Sequence, residues 1–430
     1  MIEQLSLRNV GPSPSMELNF GRRLNLLTGD NGLGKSFLLD IAWWSLTRKW
    51  PGELNRRLPM GLPAKPHADK PASITFSVTG QSKSVTYESK FDRKAQAWTG
   101  AAGRPVNPGL VLYAQADGSF AAWDPARNYW RKKGNVDVQD RPPAYVFSTQ
   151  EIWDGLRDSE GRVLCNGLIA DWASWQKERG DAFARLEAVL SSLSPAETDR
   201  IQPGNLARIS LDDARDIPTV RMPYGQDVPV LHASAGLRRI LALAYLLVWT
   251  WEEHLKATAL IGGKPAHQVT FLVDEIESHL HPKWQRRIVA ALLKVTKSLA
   301  ENASVQVIAA THSPLVMASV EPIFDADEDA WFDLDFEATG KHQSVVVRQR
   351  KFVMRGEAGN WLTSEAFDLR SSRSIEAEQA IERAALAMRS PNFSNLDAKA
   401  IHLDLQKVLG DTDPFWVRWR FVGEKKGWWP

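Results

Sequence analysis

The run Gly29-Asp30-Asn31-Gly32-Leu33-Gly34-Lys35-Ser36 constrains this chain more than any other stretch. It fits G-x-x-x-x-G-K-[ST] at every fixed position, a pattern whose chemistry requires a turn between a strand and a helix. The flanks supply both: Leu24-Asn25-Leu26-Leu27-Thr28 is an apolar run of strand length, and Phe37-Leu38-Leu39-Asp40-Ile41-Ala42 can open a helix. Glycines let the backbone curl with positive φ, so successive N–H groups converge on phosphate oxygens, and the helix N-terminus adds positive partial charge. The stretch therefore predicts a nucleotide cradle for β- and γ-phosphates and Mg²⁺. Lys35 would neutralise the phosphates and Ser36 would hold the metal, with Gly29, Asn31, Gly32, Gly34 and Phe37 completing the nucleotide contacts.

Organisation around the cradle follows from hydrophobic period. Ile2 to Leu7 and Met16 to Phe20 alternate as half-buried strands do, and Ile74 to Val78 and Ser84 to Glu88 alternate again. These predict a flanking antiparallel β-subdomain that runs to about Trp123. Proline-dense residues 51–71 read as a surface loop, and Ile152 to Leu193 as helical segments. Val269 to Val273 and Val305 to Ala310 are apolar runs typical of parallel strands buried on both faces, with a helix from Lys283 to Ala300 between them. The fold class expected is α/β with a mixed sheet and parallel core strands. Its parts are an N-terminal section (1–150), a helical insertion (151–230), a second nucleotide section (231–325) and a C-terminal tail (326–430).

Composition narrows the setting. A net charge of +2 supplies no global field toward nucleic acid or anionic membrane, so nucleic acid stays open only through a local patch. The single cysteine, Cys165, excludes an internal disulfide framework and fits a reducing cytoplasm. Met1-Ile2-Glu3-Gln4-Leu5 carries no secretory signal, and the apolar stretch Ile240 to Trp251 falls short of the roughly 20 residues that cross a bilayer. The expectation is a cytoplasmic protein with no membrane partner.

Further chemistry sits at strand ends. Phe271-Leu272-Val273 stops abruptly at Asp274 and Glu275, a pair that next to a phosphate cradle would hold Mg²⁺ and orient the attacking water, respectively. The plainer alternative is a pair of acidic residues placed for a helix dipole. His312, in Thr311-His312-Ser313-Pro314, closes the next buried strand and could donate to a γ-phosphate. Gln150 follows the strand-like Tyr145-Val146-Phe147 and could touch Mg²⁺ or water, or be an ordinary glutamine. His279 and His281 lack further ligands at metal-site spacing.

The order of cradle, Ser234-Ala235-Gly236 before a helix, Asp274-Glu275 and His312 resembles the nucleotide-binding head of the ABC ATPase superfamily. Asp274-Glu275-Ile276-Glu277-Ser278-His279-Leu280-His281-Pro282 is similar to its soluble branch, which includes RecF and SMC heads, OLD-family ATPases and PtuA-like ATPases of bacterial anti-phage systems. The resemblance implies ATP hydrolysis in a head-to-tail homodimer or higher homo-oligomer, with Ser234 of one copy, beside Gly236, reaching the γ-phosphate held by the other. The segment reads Ala-Ser-Ala-Gly-Leu where the family commonly has Leu-Ser-Gly-Gly-Gln. It also implies control of a separate effector, a nuclease or toxin, with a DNA-gripping repair or chromosome clamp as the alternative. Long heptad arms, usual in such clamps, are absent from the sequence. The tail contains Trp416 and Trp419, which read either as a partner-docking surface or as a buried cap.

Overall fold

A computed structural model describes residues 1–67, 70–80, 83–100, 106–128, 143–299, 303–339, 342–391 and 393–429. Two units are distinguished, Met1–Ala358 and Gly359–Pro430.

The first unit is built on an eight-stranded sheet whose order is His342–Arg350, Ala330–Thr339, Leu24–Gly29, Ser304–Ala310, Gln268–Val273, Leu110–Ala114, Phe120–Trp123, Tyr145–Phe147. The five strands from Ala330–Thr339 to Leu110–Ala114 run parallel; His342–Arg350 and Phe120–Trp123 run antiparallel to them, and Tyr145–Phe147, antiparallel to Phe120–Trp123, takes the direction of the five again. Leu24–Gly29 and Gln268–Val273 are buried at every residue, as parallel strands covered on both faces must be. Because the parallel strands share one direction, Gly29, Ala310, Val273 and Ala114 end along the same crest, where an open α/β sheet places its ligands.

A second, antiparallel sheet has the order Ser15–Asn19, Ile2–Arg8, Ser73–Thr79, Ser84–Asp92, Ala97–Trp98. The helix Lys35–Thr47 contributes to the core that both sheets share. It is apolar nearly all round, and its Trp43 and Trp44 lie in one cluster with Leu5 and Phe76 of the small sheet and Leu272 and Ile308 of the large one. Burying a side chain of this size contributes about 1.5–3 kcal/mol, so the helix that opens the cradle is anchored from two sides. The flanking subdomain is smaller than the alternation suggested. Leu110–Ala114 and Phe120–Trp123 belong to the large sheet, because Leu110–Ala114 is apolar on both faces and pairs in parallel with Gln268–Val273.

The helices Leu168–Glu178 and Asp181–Ser192 lie against the long helix Ala235–Leu260. Tyr245 of the long helix donates to Asp171 at 2.7 Å and meets the buried Cys165 thiol at 3.0 Å, a packed interior that leaves the thiol inert. Among the described residues no helix is long and apolar enough to cross a membrane. The division between units falls after Ala358, later than residue 326, because Ala330–Thr339 pairs with the cradle strand and extends the large sheet.

The second unit contains the helices Ile375–Arg389, Asn395–Val408 and Phe415–Lys425 around a core of Ala380, Ala384, Leu405, Trp416, Trp419 and Trp428. Trp419 is fully buried and its indole donates to His402 at 3.2 Å. Trp416 and Trp419 are thus core residues of this unit, which corrects their reading as an exposed docking surface. At i and i+3 on an amphipathic helix they share its inward face.

Candidate active site

The cradle strand ends at Gly29, whose backbone lies against the carbonyl of Leu334. Gly34 caps the helix Lys35–Thr47 with φ 100°, a left-handed turn that a side chain would strain, and no side chain closes the helix end. The first-turn N–H groups are therefore open to an anion. Asn31 and Gly32 are exposed at the loop tip, Ser36 is half-buried, and the half-buried Phe37 ring packs on Gly11. The Lys35 ammonium is buried and donates to the carbonyls of Gly29 and Asp30, 2.8 Å each. Burial pulls it down to about 8, against the attraction of Asp274 and Asp30.

Asp274 ends the strand two places away. Its N–H donates to Ala114 at 2.9 Å, and its carboxylate is 1% exposed with neither oxygen accepting a hydrogen bond. Leaving such a group unpartnered costs several kcal/mol, and burial pushes it up to about 6 even with Ser36 and Lys35 pulling it down. A bare carboxylate oxygen pair facing the cradle fits a divalent cation of the Mg²⁺ kind, which takes one or two protein oxygens and fills its remaining positions with phosphate and water. Among the described residues no cluster of three or more His, Cys, Asp or Glu side chains could build an all-protein metal site, and His281 instead caps the short helix Pro282–Gln285.

Glu275 is half-buried and takes φ 45°, a left-handed conformation rare outside glycine, which turns its side chain away from the strand line. Arg239 holds this turn. Its guanidinium donates to the carbonyls of Ala116 at 2.9 Å, Asp274 at 3.1 Å and Glu275 at 3.3 Å. His312 follows the strand that lies between those of Lys35 and Asp274, and burial together with the Lys35 charge lowers its pKa. The Glu277 carboxylate accepts the His312 N–H at 2.5 Å and the Thr311 hydroxyl at 2.7 Å.

Ser234 is exposed at the N-cap of Ala235–Leu260 and accepts the Leu237 N–H at 3.4 Å. Gly236 is buried rather than presented, since a Cβ there would stand 2.5 Å from the His279 carbonyl. The structure does not bring Gln150 to the cradle. It is exposed in the first turn of the helix Thr149–Asp154, after the outermost strand of the sheet, and Ser148 and Glu151 form a capping box around it. Gln115, by contrast, follows a strand of the parallel core. It is fully buried, directly follows Leu110–Ala114 beside Asp274, and its amide nitrogen has no partner. Sequence reasoning also missed Asp40, which accepts from Tyr113 at 3.0 Å and is pushed up to about 7 by burial. The strand-like Leu110-Val111-Leu112-Tyr113-Ala114 before Gln115 was the available signal.

A family described as "AAA domain, putative AbiEii toxin, Type IV TA system" matches residues 24–318. The Septu protein PtuA of Bacillus thuringiensis is 22% identical over 395 residues, which cover 89% of this chain and 89% of that protein. The "Retron Vc95 probable ATPase" of Vibrio cholerae serotype O1 biovar El Tor is 49% identical over 105 residues, 22% of this chain and 17% of that protein. Among solved structures, the SMC head domain from Thermotoga maritima overlaps with a TM-score of 0.38 at 13% identity, over 81% of this chain and 99% of that one. The family match runs from the cradle strand through Asp274 and Glu275 to the helix after His312, and the chain belongs to this family of AAA-type ATPase domains.

Proposed function

We propose that two copies of this ATPase close head to tail around ATP and that the cycle controls a separate effector, a nuclease or toxin, in bacterial anti-phage defence. The observation that carries the dimer is Ser234, exposed at the start of a 26-residue helix whose Arg239 reaches the turn of Asp274 and Glu275. A second copy meeting that helix end would be felt at the catalytic carboxylates. Similarity to the Septu protein PtuA and to the Vibrio cholerae retron protein supports the defence setting.

Within each cradle, Lys35 and the open N–H groups after Gly34 neutralise the phosphates, and Ser36 and Asp274 would hold Mg²⁺, whose charge adds to theirs. Glu275 accepts a hydrogen bond from the attacking water and orients it, His312 donates to the γ-phosphate, and Gln115 takes the role expected of Gln150. Phosphoryl transfer depends mostly on such positioning and charge neutralisation. Light scattering of Glu275→Gln tests the dimer. The variant should be dimeric with ATP and monomeric with ADP, and adding Ser234→Arg should keep it monomeric with either. A Glu275→Gln protein that stays monomeric with saturating ATP would refute the reading.

A further inference from the structure

We propose that Glu277 is the positioning residue of His312, so that the turn after Asp274 acts on the nucleotide through this histidine as well as through Glu275. The inference rests on the reading of His312 as a γ-phosphate donor.

Glu277 is poorly placed to be a base, because each of its oxygens already holds a donor, one from the His312 backbone and one from the Thr311 hydroxyl. What it grips is the peptide that carries the imidazole. Thr311 is fully buried, and its N–H donates to Leu27 of the cradle strand at 3.0 Å. On the far side of His312, the Ser313 N–H donates to the Thr311 hydroxyl at 3.0 Å, and the Ser313 hydroxyl donates to Gln285 at 2.7 Å. Gln285 returns a bond to the Leu280 carbonyl at 2.9 Å. Residues 274–285 therefore hold both neighbours of His312. The imidazole itself makes no hydrogen bond among the described residues, so its aim is set by this backbone grip.

The chemistry explains why a carboxylate stands here. Two donors converge on it, and a carboxylate accepts both, with the charge strengthening each bond. Glutamine offers one acceptor and one donor. It can still take the fixed His312 N–H, and the Thr311 hydroxyl can rotate to meet the amide. Alanine takes neither.

The test is ATP turnover by the full chain for Glu277→Ala, Glu277→Gln, His312→Ala and Glu277→Ala with His312→Ala. Glu277→Ala should lower kcat by about tenfold to a hundredfold with KM for ATP within about threefold, the pattern of a group acting in the transition state. Glu277→Gln should recover most of the rate. The double variant should be no slower than His312→Ala alone, because a residue that acts through another adds nothing once that other is gone. Losses that multiply, or a Glu277→Gln as slow as Glu277→Ala, would overturn the inference and leave the His312 reading standing. His312→Ala at full rate would remove both. Should Glu277→Ala fail to fold, Glu277→Asp, which keeps the charge but shortens the reach, takes its place in the same cycle.

Discussion

The carbonyl of His279 passes so close to Gly236 that a Cβ on Gly236 would stand 2.5 Å from it. The start of the long helix and the loop after Asp274 are thereby in backbone contact, and only glycine permits the approach. Gly236→Ala must lift the helix from the loop, at a cost of about 1–3 kcal/mol. The variant should melt earlier and turn over ATP at least about tenfold more slowly, while binding nucleotide at Lys35 nearly as well. Isothermal titration and steady-state rates check the two halves of the expectation, and an unaltered rate would show the contact to be dispensable.

The proposed composite site predicts that two dead variants rescue each other. Lys35→Ala loses the phosphate charge in its own cradle, and Ser234→Arg places a bulky side chain where the partner's nucleotide must dock. In a mixed dimer one site carries both defects and the other carries neither. With equal, freely exchanging subunits, about a quarter of wild-type activity should return, since half the dimers are mixed and half their sites intact. The measurement is ATP turnover against mixing ratio, with subunit exchange followed separately. Normal hydrolysis by Ser234→Arg alone would dismiss the shared site.

Asp274 carries a pH signature. Its folded pKa, about 6, lies above the ordinary 3.8, so between those values the folded state holds a proton that the unfolded state has lost. Stability of the nucleotide-free protein from this group is therefore highest below about 4, falls as pH rises, and is reduced by about 3 kcal/mol above about 6. Asp274→Asn removes the charge. It should raise the melting temperature at pH 8, have little effect near pH 4, and abolish hydrolysis throughout. Calorimetry without nucleotide at both pH values checks the sign, and equal effects at the two would exclude a buried charge as the cause.

Trp419 tests the interior of the C-terminal unit. It is fully buried among Ala380, Leu405, Trp416 and Trp428, so Trp419→Ala should cost that unit about 3–5 kcal/mol. An earlier urea transition, followed by tryptophan fluorescence, is the expected result. A transition at the wild-type midpoint would return Trp419 to the list of surface residues.

The candidate roles of Lys35, Ser36, Asp274 and Glu275 can be read from the sequence because their signals are local, a turn or an apolar run that stops at a charge. Strand order was not, because pairing joins residues hundreds of positions apart. Gln115 and Gln150 illustrate the difference. Both follow short apolar runs, yet the first run pairs with the strand of Asp274 and the second forms the far edge of the sheet. One local signal could have separated them. Ser148-Thr149-Gln150-Glu151 has the serine and glutamate of a capping box, which places Gln150 inside a helix rather than at the end of a strand. Glu277 was hidden for the other reason, since nothing near it in sequence shows that its partners are Thr311 and His312.

Lys35 is held by the carbonyls of Gly29 and Asp30, within the loop it is meant to serve. The ammonium is thus solvated by two backbone oxygens that tie the first turn of its helix to the start of the loop. One side chain therefore serves as a clasp for the loop as well as a charge beside it, so that shortening Lys35 takes away a fastening of the turn itself.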